Sequence, residues 1–383
     1  MDSLAPFLHR VFDSESCELV DFVPRPMPVG QSLLSELCAR HLGAKVGVFR
    51  ADIKRRSRIT GDIEALDVLI KIKPADTVLI SAGTNLALQC DPDLGRLCPI
   101  YSPMRELGRS HLREIALYRA PPPGLARHMP HVHGLIADTK QGLWISVLEY
   151  LGEAEFLADM NATERWTLAH FEAAVDALAG IHAEYFDNDA RLLAEPWIAL
   201  NAEGNRVLAM REWWEALARY AERNYDDPSL ISLATVHEQL VRDIDKWWPS
   251  LCSLPRTLIH NDFNPRNLAF RRGPQGPVLC AFDWELATLG VPQHDLAELL
   301  IFALPSSADQ AWVARLIQRH HDRLAEQVGT RWSAAEWQRG FALSLDHLLV
   351  DRLSMYALPH AFRPLPYLPR ILKNWVRLHA WAG

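Results

Sequence analysis

One short stretch limits the architectures open to this chain more than any other. It is His260-Asn261-Asp262-Phe263-Asn264-Pro265-Arg266-Asn267, with Asp283-Trp284-Glu285 beyond it. Thr257-Leu258-Ile259 reads as a short strand entering the first piece. Leu268-Ala269-Phe270 and Val278-Leu279-Cys280-Ala281-Phe282 read as a hairpin, turned by Gly273-Pro274-Gln275-Gly276-Pro277, that leads into the second. A loop between two strands can aim Asp262 and Asn267 at one cleft, and the hairpin folds Asp283 back beside them.

These residue types in this order suit one kind of chemistry. Phosphoryl transfer needs a carboxylate to orient or accept the proton of an attacking hydroxyl. It also needs an amide oxygen and a second carboxylate to hold Mg²⁺ on the nucleotide phosphates. Oxygen ligands in small number suit Mg²⁺, which keeps waters and phosphate oxygens as its other ligands. Asn, Asp and Pro are ordinary turn residues as well. A turn alone does not explain why every fixed position of an HxDxxxxN pattern is filled and a carboxylate follows the hairpin.

The rest of the chain is read around this centre. Val46 to Lys73 reads as strands, clearest at Asp67 to Lys73 and closed by Pro74. Ala82 to Pro103 reads as a long loop rich in Gly, Pro, Asn and Asp. Met104 to Ala120 reads as a helix with Leu107, His111, Ile115 and Tyr118 on one stripe, and Gly142 to Tyr150 as a further strand. Beyond residue 152 helices dominate. Thr163 is expected to cap one that runs to about Tyr185, with Leu168, Phe171, Val175, Leu178 and Ile181 at helical spacing. The expectation is an α+β chain in two parts, a strand-rich lobe over 1–150 and a mainly helical lobe over 151–383, with a hinge near 150.

Composition narrows the function classes. Lys and Arg number 40 against 47 Asp and Glu, a net charge of -7, which argues against a nucleic-acid partner. The longest clear apolar run, Leu299 to Leu304, is far short of a membrane span. Met1 to Pro6 lacks the basic and apolar regions of a secretory leader. Six cysteines with no CxxC pair read as reduced thiols, so a cytoplasmic location is expected. His128, His131 and His133 fit no standard zinc spacing and read as a loop entering a strand. Neither GxxxxGK[ST] nor GxGxxG is present in the expected setting.

The segment 255–300 resembles the aminoglycoside phosphotransferase and choline kinase superfamily, small-molecule kinases with a protein-kinase-like fold. The likeness rests on Ile259 to Asp262, Asn267, Asp283-Trp284-Glu285 and Gly290-Val291-Pro292-Gln293-His294-Asp295-Leu296-Ala297. It implies transfer of the γ-phosphoryl group of ATP, with GTP as the alternative donor, to a hydroxyl of a small molecule. It implies Asp262 as base, Asn267 and Asp283 as Mg²⁺ ligands, and Glu285 as a candidate for a second metal. His260 would brace the loop. Asp295 would cap the next helix or anchor the loop, and its position before Leu296 suits capping by itself. Arg266 would neutralise phosphate charge or pin the loop through a salt bridge.

Such kinases also hold the α- and β-phosphates with a strand lysine that a helix glutamate positions. Lys71 is the preferred lysine and Lys73 the rival, since alternation puts both on one face. Glu114 would be the partner, although a solvent-facing helical glutamate is an equal reading. Leu148, Glu149 and Tyr150 would meet the adenine through backbone groups.

Two departures stand out. Asn261 occupies a position usually held by Gly, and Asn tolerates φ > 0 better than most residues. No glycine-rich flap is visible. The region from Asp52 to Gly61 carries Arg55, Arg56 and Arg58 instead, either phosphate contacts or a solvated hairpin tip. The tail from Arg352 onward carries Arg363, Arg370, Lys373 and Arg377 with no Asp or Glu. It is either a solvated face or a wall suited to an acidic or carrier-bound acceptor. A catalytically silent nucleotide-binding module and, at greater distance, a protein kinase are the competing readings; Asp-Trp-Glu in place of Asp-Phe-Gly counts against the latter.

Overall fold

The computed structural model describes residues 4–27, 32–43, 45–104, 108–152, 154–156, 160, 163–198, 206–225, 228–329 and 332–382. The chain opens with α1 (Ala5–Phe12), β1 (Cys17–Arg25), α2 (Leu33–Leu42), β2 (Gly47–Ser57) and β3 (Ile63–Pro74). Helices α3 (Asp76–Cys90), α4 (Pro92–Tyr101), α5 (Ser110–Arg119) and α6 (Pro123–Ala126) precede the hairpin of β4 (Val132–Asp138) and β5 (Leu143–Glu149). After β6 (Glu155–Phe156) come α7 (Leu168–Ala183), α8 (Asp189–Leu193), α9 (Arg206–Ala209), α10 (Arg211–Asn224), α11 (Pro228–Arg242) and α12 (Ile244–Cys252). Next are β7 (Thr257–Ile259), β8 (Leu268–Gly273), β9 (Gly276–Ala281) and β10 (Thr288–Gly290). The chain closes with α13 (Gln293–Ala303), α14 (Gln310–Val328), α15 (Ala334–Leu348), α16 (Ala357–Phe362) and α17 (Leu368–Ala382).

The fold is α+β and two-lobed. The first five strands form one antiparallel sheet in the order β1-β2-β3-β5-β4. In β3 the side chains of Val68, Ile70 and Ile72 are buried with Leu8 and Phe12 of α1, Cys38 of α2 and Leu79 of α3. The period of two then puts Lys71 and Lys73 together on the opposite face. Lys71 is paired with Val48 on one side and Ser146 on the other, so it lies on an interior strand. In the helical part, every residue of α13 is buried, and its apolar side chains share a core with Phe171, Leu178, Phe341 and Trp375. Strands β7 and β10 pair with each other, and β6, β8 and β9 form a second small sheet. Among the described residues no helix is long and apolar enough to cross a membrane.

The expected loop over 82–103 is in fact the end of α3 and all of α4. Its Asp and Pro are helix-start signals, not loop signals. The Asp91 side chain accepts the N–H groups of Asp93 and Leu94, and Pro92 occupies the first turn where no N–H is missed. Gly95 is there for close approach, since a Cβ would come within 2.6 Å of the Leu88 Cα. Ala87, Leu94, Leu97 and Cys98 complete a core with Trp213, Trp214, Trp247 and Leu358, which no local pattern announces. Two helix starts also move. The helix expected from Met104 begins at Ser110, and Leu107 lies outside the described residues. Thr163 opens a single 3₁₀ turn, and Thr167 is the residue that precedes α7, its N–H bonded to His170 Nδ1 at 3.1 Å. The strand expected over 142–150 and the hairpin turned at 273–277 are both present.

Candidate active site

Strands β7 and β8 hold the ends of the loop 260–267, and the β8–β9 hairpin returns the chain to its flank. Phe282, directly before Asp283, is tied to the loop at both ends of its peptide. Its N–H donates to the Asn267 carbonyl at 3.0 Å, and its carbonyl accepts from His260 Nε2 at 3.0 Å. The loop that carries Asp262 and Asn267 and the turn that carries Asp283 are thereby joined through Phe282.

Within the loop, Asp262 is oriented by neighbours. Its Oδ2 accepts from Asn267 Nδ2 at 2.7 Å and its Oδ1 from Asn264 Nδ2 at 2.8 Å. Burial pushes the Asp262 carboxyl up. Arg352, Arg266 and the Asn267 amide outweigh it and hold the group below its ordinary value. Asn261 has φ 59°, so the amide residue does adopt the left-handed conformation that Gly would take without strain, and its Nδ2 donates to the Leu286 carbonyl at 3.1 Å. Asp283 is left-handed too, at φ 66°.

Lys71 reaches across from β3. Its Nζ lies 2.6 Å from Asp283 Oδ1, 2.9 Å from Glu114 Oε1 and 2.9 Å from Glu285 Oε2. Lys73 Nζ reaches Glu285 Oε2 as well, at 2.5 Å. Both lysines therefore touch the cluster, but only Lys71 bridges Glu114 and Asp283. Glu114 is 2 % exposed, which excludes the solvent-facing reading of that residue. Burial works against the Lys71 ammonium, yet Asp283, Glu114 and Glu285 outweigh it and hold its pKa well above the ordinary value. Burial and the Glu285 charge push Asp283 up, whereas both lysines hold Glu285 down against its own burial.

The carboxylate oxygens of Glu114, Asp283 and Glu285 lie within 4.8 Å of one another, the one such acidic or His/Cys group among the described residues. A set of hard oxygen donors with few members fits Mg²⁺ and fits soft metals poorly. His128, His131 and His133 form no such group; His128 Nδ1 instead meets the Leu279 carbonyl at 3.2 Å.

Of the other expected residues, His260 is fully buried, its ring 4.4 Å from that of Trp284, and burial pushes its imidazole pKa down, so it is a neutral brace. Arg266 pins the loop. Its Nε bonds Asn264 Oδ1 at 3.0 Å, its Nη2 the Tyr356 hydroxyl at 2.7 Å, and Asp262 Oδ1 lies 3.8 Å from Nη2. Glu149 is turned to other partners, the His131 N–H at 2.7 Å and the Arg271 guanidinium. Tyr150 stacks under Arg50 at 3.8 Å, and its N–H is bonded to the Asp67 carbonyl. The region 52–61 is the β2–β3 hairpin, and Arg55, Arg56 and Arg58 pair with Glu64 and Glu18 there. Much of the basic tail is spent on backbone. Arg370 donates to the Phe302 and Met160 carbonyls, and Arg377 to those of Pro305 and Ala308.

The loop is held from behind by Asp295 and by residues with no motif of their own. Of the two expectations for Asp295, the structure has the loop anchor and not the N-cap. It lies in the first turn of α13, and its two oxygens accept the N–H groups of His260 and Asn261 at 2.7 and 2.9 Å. Glu298, one turn on, accepts the Phe263 N–H at 2.9 Å, and Arg352 donates to the Asn261 carbonyl. Acidic side chains inside the apolar run Leu296-Ala297-Glu298-Leu299-Leu300 were the available signal, because a buried carboxylate needs partners. Tyr118, whose hydroxyl meets the Asp283 N–H at 3.3 Å, carried none.

Comparison with known proteins bears on the fold and on the family. The GDP complex of a variant of aminoglycoside 2'-phosphotransferase-IIIa is similar in fold, with a TM-score of 0.50 at 12% identity, over 99% of this chain and 98% of that one. LicA in complex with AMP aligns over 99% of this chain and 96% of that one, with a TM-score of 0.48 at 14% identity. In sequence, acyl-CoA dehydrogenase family member 10 of Mus musculus is 31% identical over 134 residues, which is 34% of this chain and 12% of that protein. The chain thus spans a small part of that relative's length. Residues 109–337, from the start of α5 through the loop and hairpin to α15, match the Phosphotransferase enzyme family, so the chain belongs to that family.

Proposed function

We propose that this kinase moves the γ-phosphoryl group of ATP, with GTP as the alternative donor, to a hydroxyl of a small acceptor, with Asp262 as the base. The observation that carries the reading is the chain of contacts from Glu114 through Lys71 to Asp283, which continues through Phe282 to the loop bearing Asp262 and Asn267. Lys71 supplies a fixed positive charge for the phosphates, and Glu114 keeps it in place. Asn267, Asp283 and Glu285 are the residues that would hold Mg²⁺, with Glu114 beside them; bound there, the ion would neutralise phosphate charge. Asp262, held ionised by Arg266 and Arg352, orients the acceptor hydroxyl and takes its proton. His260 keeps the loop in register, and Glu149 and Tyr150 mark the edge where the base of the nucleotide would lie. In this reading residues 1–150 form the nucleotide lobe and 151–383 the acceptor lobe.

The acceptor side has a sign. Arg266 and Arg352 flank Asp262, and no Asp or Glu follows Arg352 in the chain. Two guanidinium groups beside the base favour an anionic acceptor, free or carried on a thiol, over a cationic one. A cytoplasmic setting fits the six free thiols.

The test is nucleoside diphosphate release from MgATP and MgGTP across paired hydroxyl compounds, each carboxylate matched with its amide. Acceptor-dependent release that favours the carboxylates, and that Asp262→Ala and Asp283→Ala abolish in folded protein, supports the reading. Turnover retained by either variant refutes the role assigned to that residue, and nucleotide binding without turnover across the panel would make the protein a silent binding module.

A further inference from the structure

Behind the loop lies a buried polar chain that phosphoryl transfer does not itself require. The His182 side chain on α7 places Nε2 3.2 Å from Asp295 Oδ2, the same carboxylate that holds the His260 and Asn261 N–H groups. On its other side His182 Nδ1 lies 3.1 Å from Nε2 of His320 on α14. His182, His320 and Asp295 are all 0 % exposed. The remaining nitrogen, His320 Nδ1, has no partner among the described residues.

Proton counting restricts this chain to one arrangement. An ionised carboxylate only accepts, so His182 Nε2 carries a hydrogen. Suppose His182 Nδ1 carried one too. His182 would then be a buried cation, and a neutral His320, accepting at Nε2, would keep its own hydrogen on Nδ1 with nothing to receive it. That arrangement adds both a buried charge and an orphan donor. Suppose instead that His182 Nδ1 is bare. His320 then donates from Nε2, both rings are neutral, and only a lone pair is left unused. Burial pushes the His320 pKa well down, which agrees with a neutral ring.

We infer that His320 is a positioning residue for the reaction: its Nε2–H, donated to His182 Nδ1, sets the His182 ring so that His182 Nε2–H holds Asp295, and Asp295 holds the backbone of the loop carrying Asp262. The effect on turnover rests on the reading of Asp262 as the base, whereas the proton arrangement does not. Lys71 is bonded to Glu114, Asp283 and Glu285, whereas His182 is bonded to His320 and Asp295, so the two groups are linked through the loop and Phe282. A fault in the histidine pair is therefore expected to change turnover more than nucleotide affinity.

The full chain labelled with ¹⁵N-histidine gives the first test, by long-range proton–nitrogen correlation. The expected spectrum shows His182 and His320 both neutral and protonated at Nε2. A doubly protonated His182, or His320 protonated at Nδ1, overturns the inference without any variant. The second test compares His320→Leu with His320→Gln, whose amide N–H can still donate. Leu is expected to slow MgATP turnover by about tenfold and to speed amide exchange at His260 and Asn261, with nucleotide affinity unchanged. Gln is expected to keep turnover and exchange within about threefold of the original. Equal losses in the two variants, or a loss carried by nucleotide affinity, overturn it. An Asp262→Asn protein that turns over at the original rate would remove the base assignment alone, and the spectrum and the exchange rates would still decide the role of His320.

Discussion

Lys71→Met removes the one cation that touches Glu114, Asp283 and Glu285 together while leaving most of the side chain's length. Three carboxylates then share a half-buried space with Lys73, which lies against Glu285 alone among them. Removing one partner of a buried ion pair costs roughly 3–5 kcal/mol, because the other charge is left uncompensated. The side chains of Asp283 and Glu285 retain 31% and 21% of their exposure, so water shares the load. The lower end, about 3 kcal/mol near neutral pH, is the expected loss of folding stability.

The sign of its pH dependence separates charge from packing. Without Lys71, Glu285 loses a charge that holds its pKa down and Asp283, already pushed up to about 8 by burial, rises further, so the folded-state values move up from the unfolded ones near 4. The folded variant then binds more protons than the unfolded chain, so its deficit grows as pH rises through that window and shrinks below it. Urea unfolding of both proteins should show a gap of about 3 kcal/mol near pH 8 and under about 1 kcal/mol near pH 4.5. A gap of equal size at both ends would mean lost methylene packing and would refute the electrostatic account. The same series on Lys73→Met decides between the two lysines: that variant leaves the Glu114 and Asp283 contacts of Lys71 intact and should cost less than half as much.

Asp262→Asn should lower turnover about a thousandfold with little change in nucleotide affinity, read by steady-state kinetics and calorimetry. Asn261→Ala loses both a tolerated left-handed conformation and the bond to the Leu286 carbonyl; it should destabilise the fold by about 1–2 kcal/mol, while Asn261→Gly should cost less, as urea midpoints will show. His237 is buried on α11 with its Nε2 unpartnered among the described residues, and burial pushes its pKa from 6.5 to about 4. A depressed histidine favours the folded state above its unfolded pKa and loses that contribution as pH falls through the folded one. Stability should therefore drop by about 2–3 kcal/mol between pH 6.5 and 4, and His237→Leu should flatten that slope in urea titrations. Gly95→Val should separate α3 from α4, seen as lost helical signal and a lower melting temperature.

Local chemistry was enough to mark the candidate catalytic segment in the sequence. Asp262, Asn264 and Asn267 bond one another within the loop, and the β8–β9 hairpin returns the chain to its flank, so their spacing alone made the segment legible. The left-handed Asn261 was legible for the same reason: the preference belongs to the residue itself. Lys71 and Lys73 could be put on one face by strand period, yet period says nothing about which ammonium finds Glu114. That choice was made by the distance from β3 to α5, two elements separated by α3 and α4.

Those two helices show where sequence reading failed and why. Their Asp, Pro and Gly residues are turn formers in isolation. They become caps and a close-packing glycine only because the tryptophans of α10 and α12 offer an apolar face to lie on. Glu298 and Arg352 belong to the same class, since their meaning lies in backbone groups far away in the chain. Asp295 could be read as a cap or a loop anchor, and only the fold decided for the anchor. What this chain carries in its own letters is the order of candidate reacting groups along a loop. Which charges face each other across the cleft, and what holds that loop still from behind, depend on contacts between residues that only the folded chain brings together.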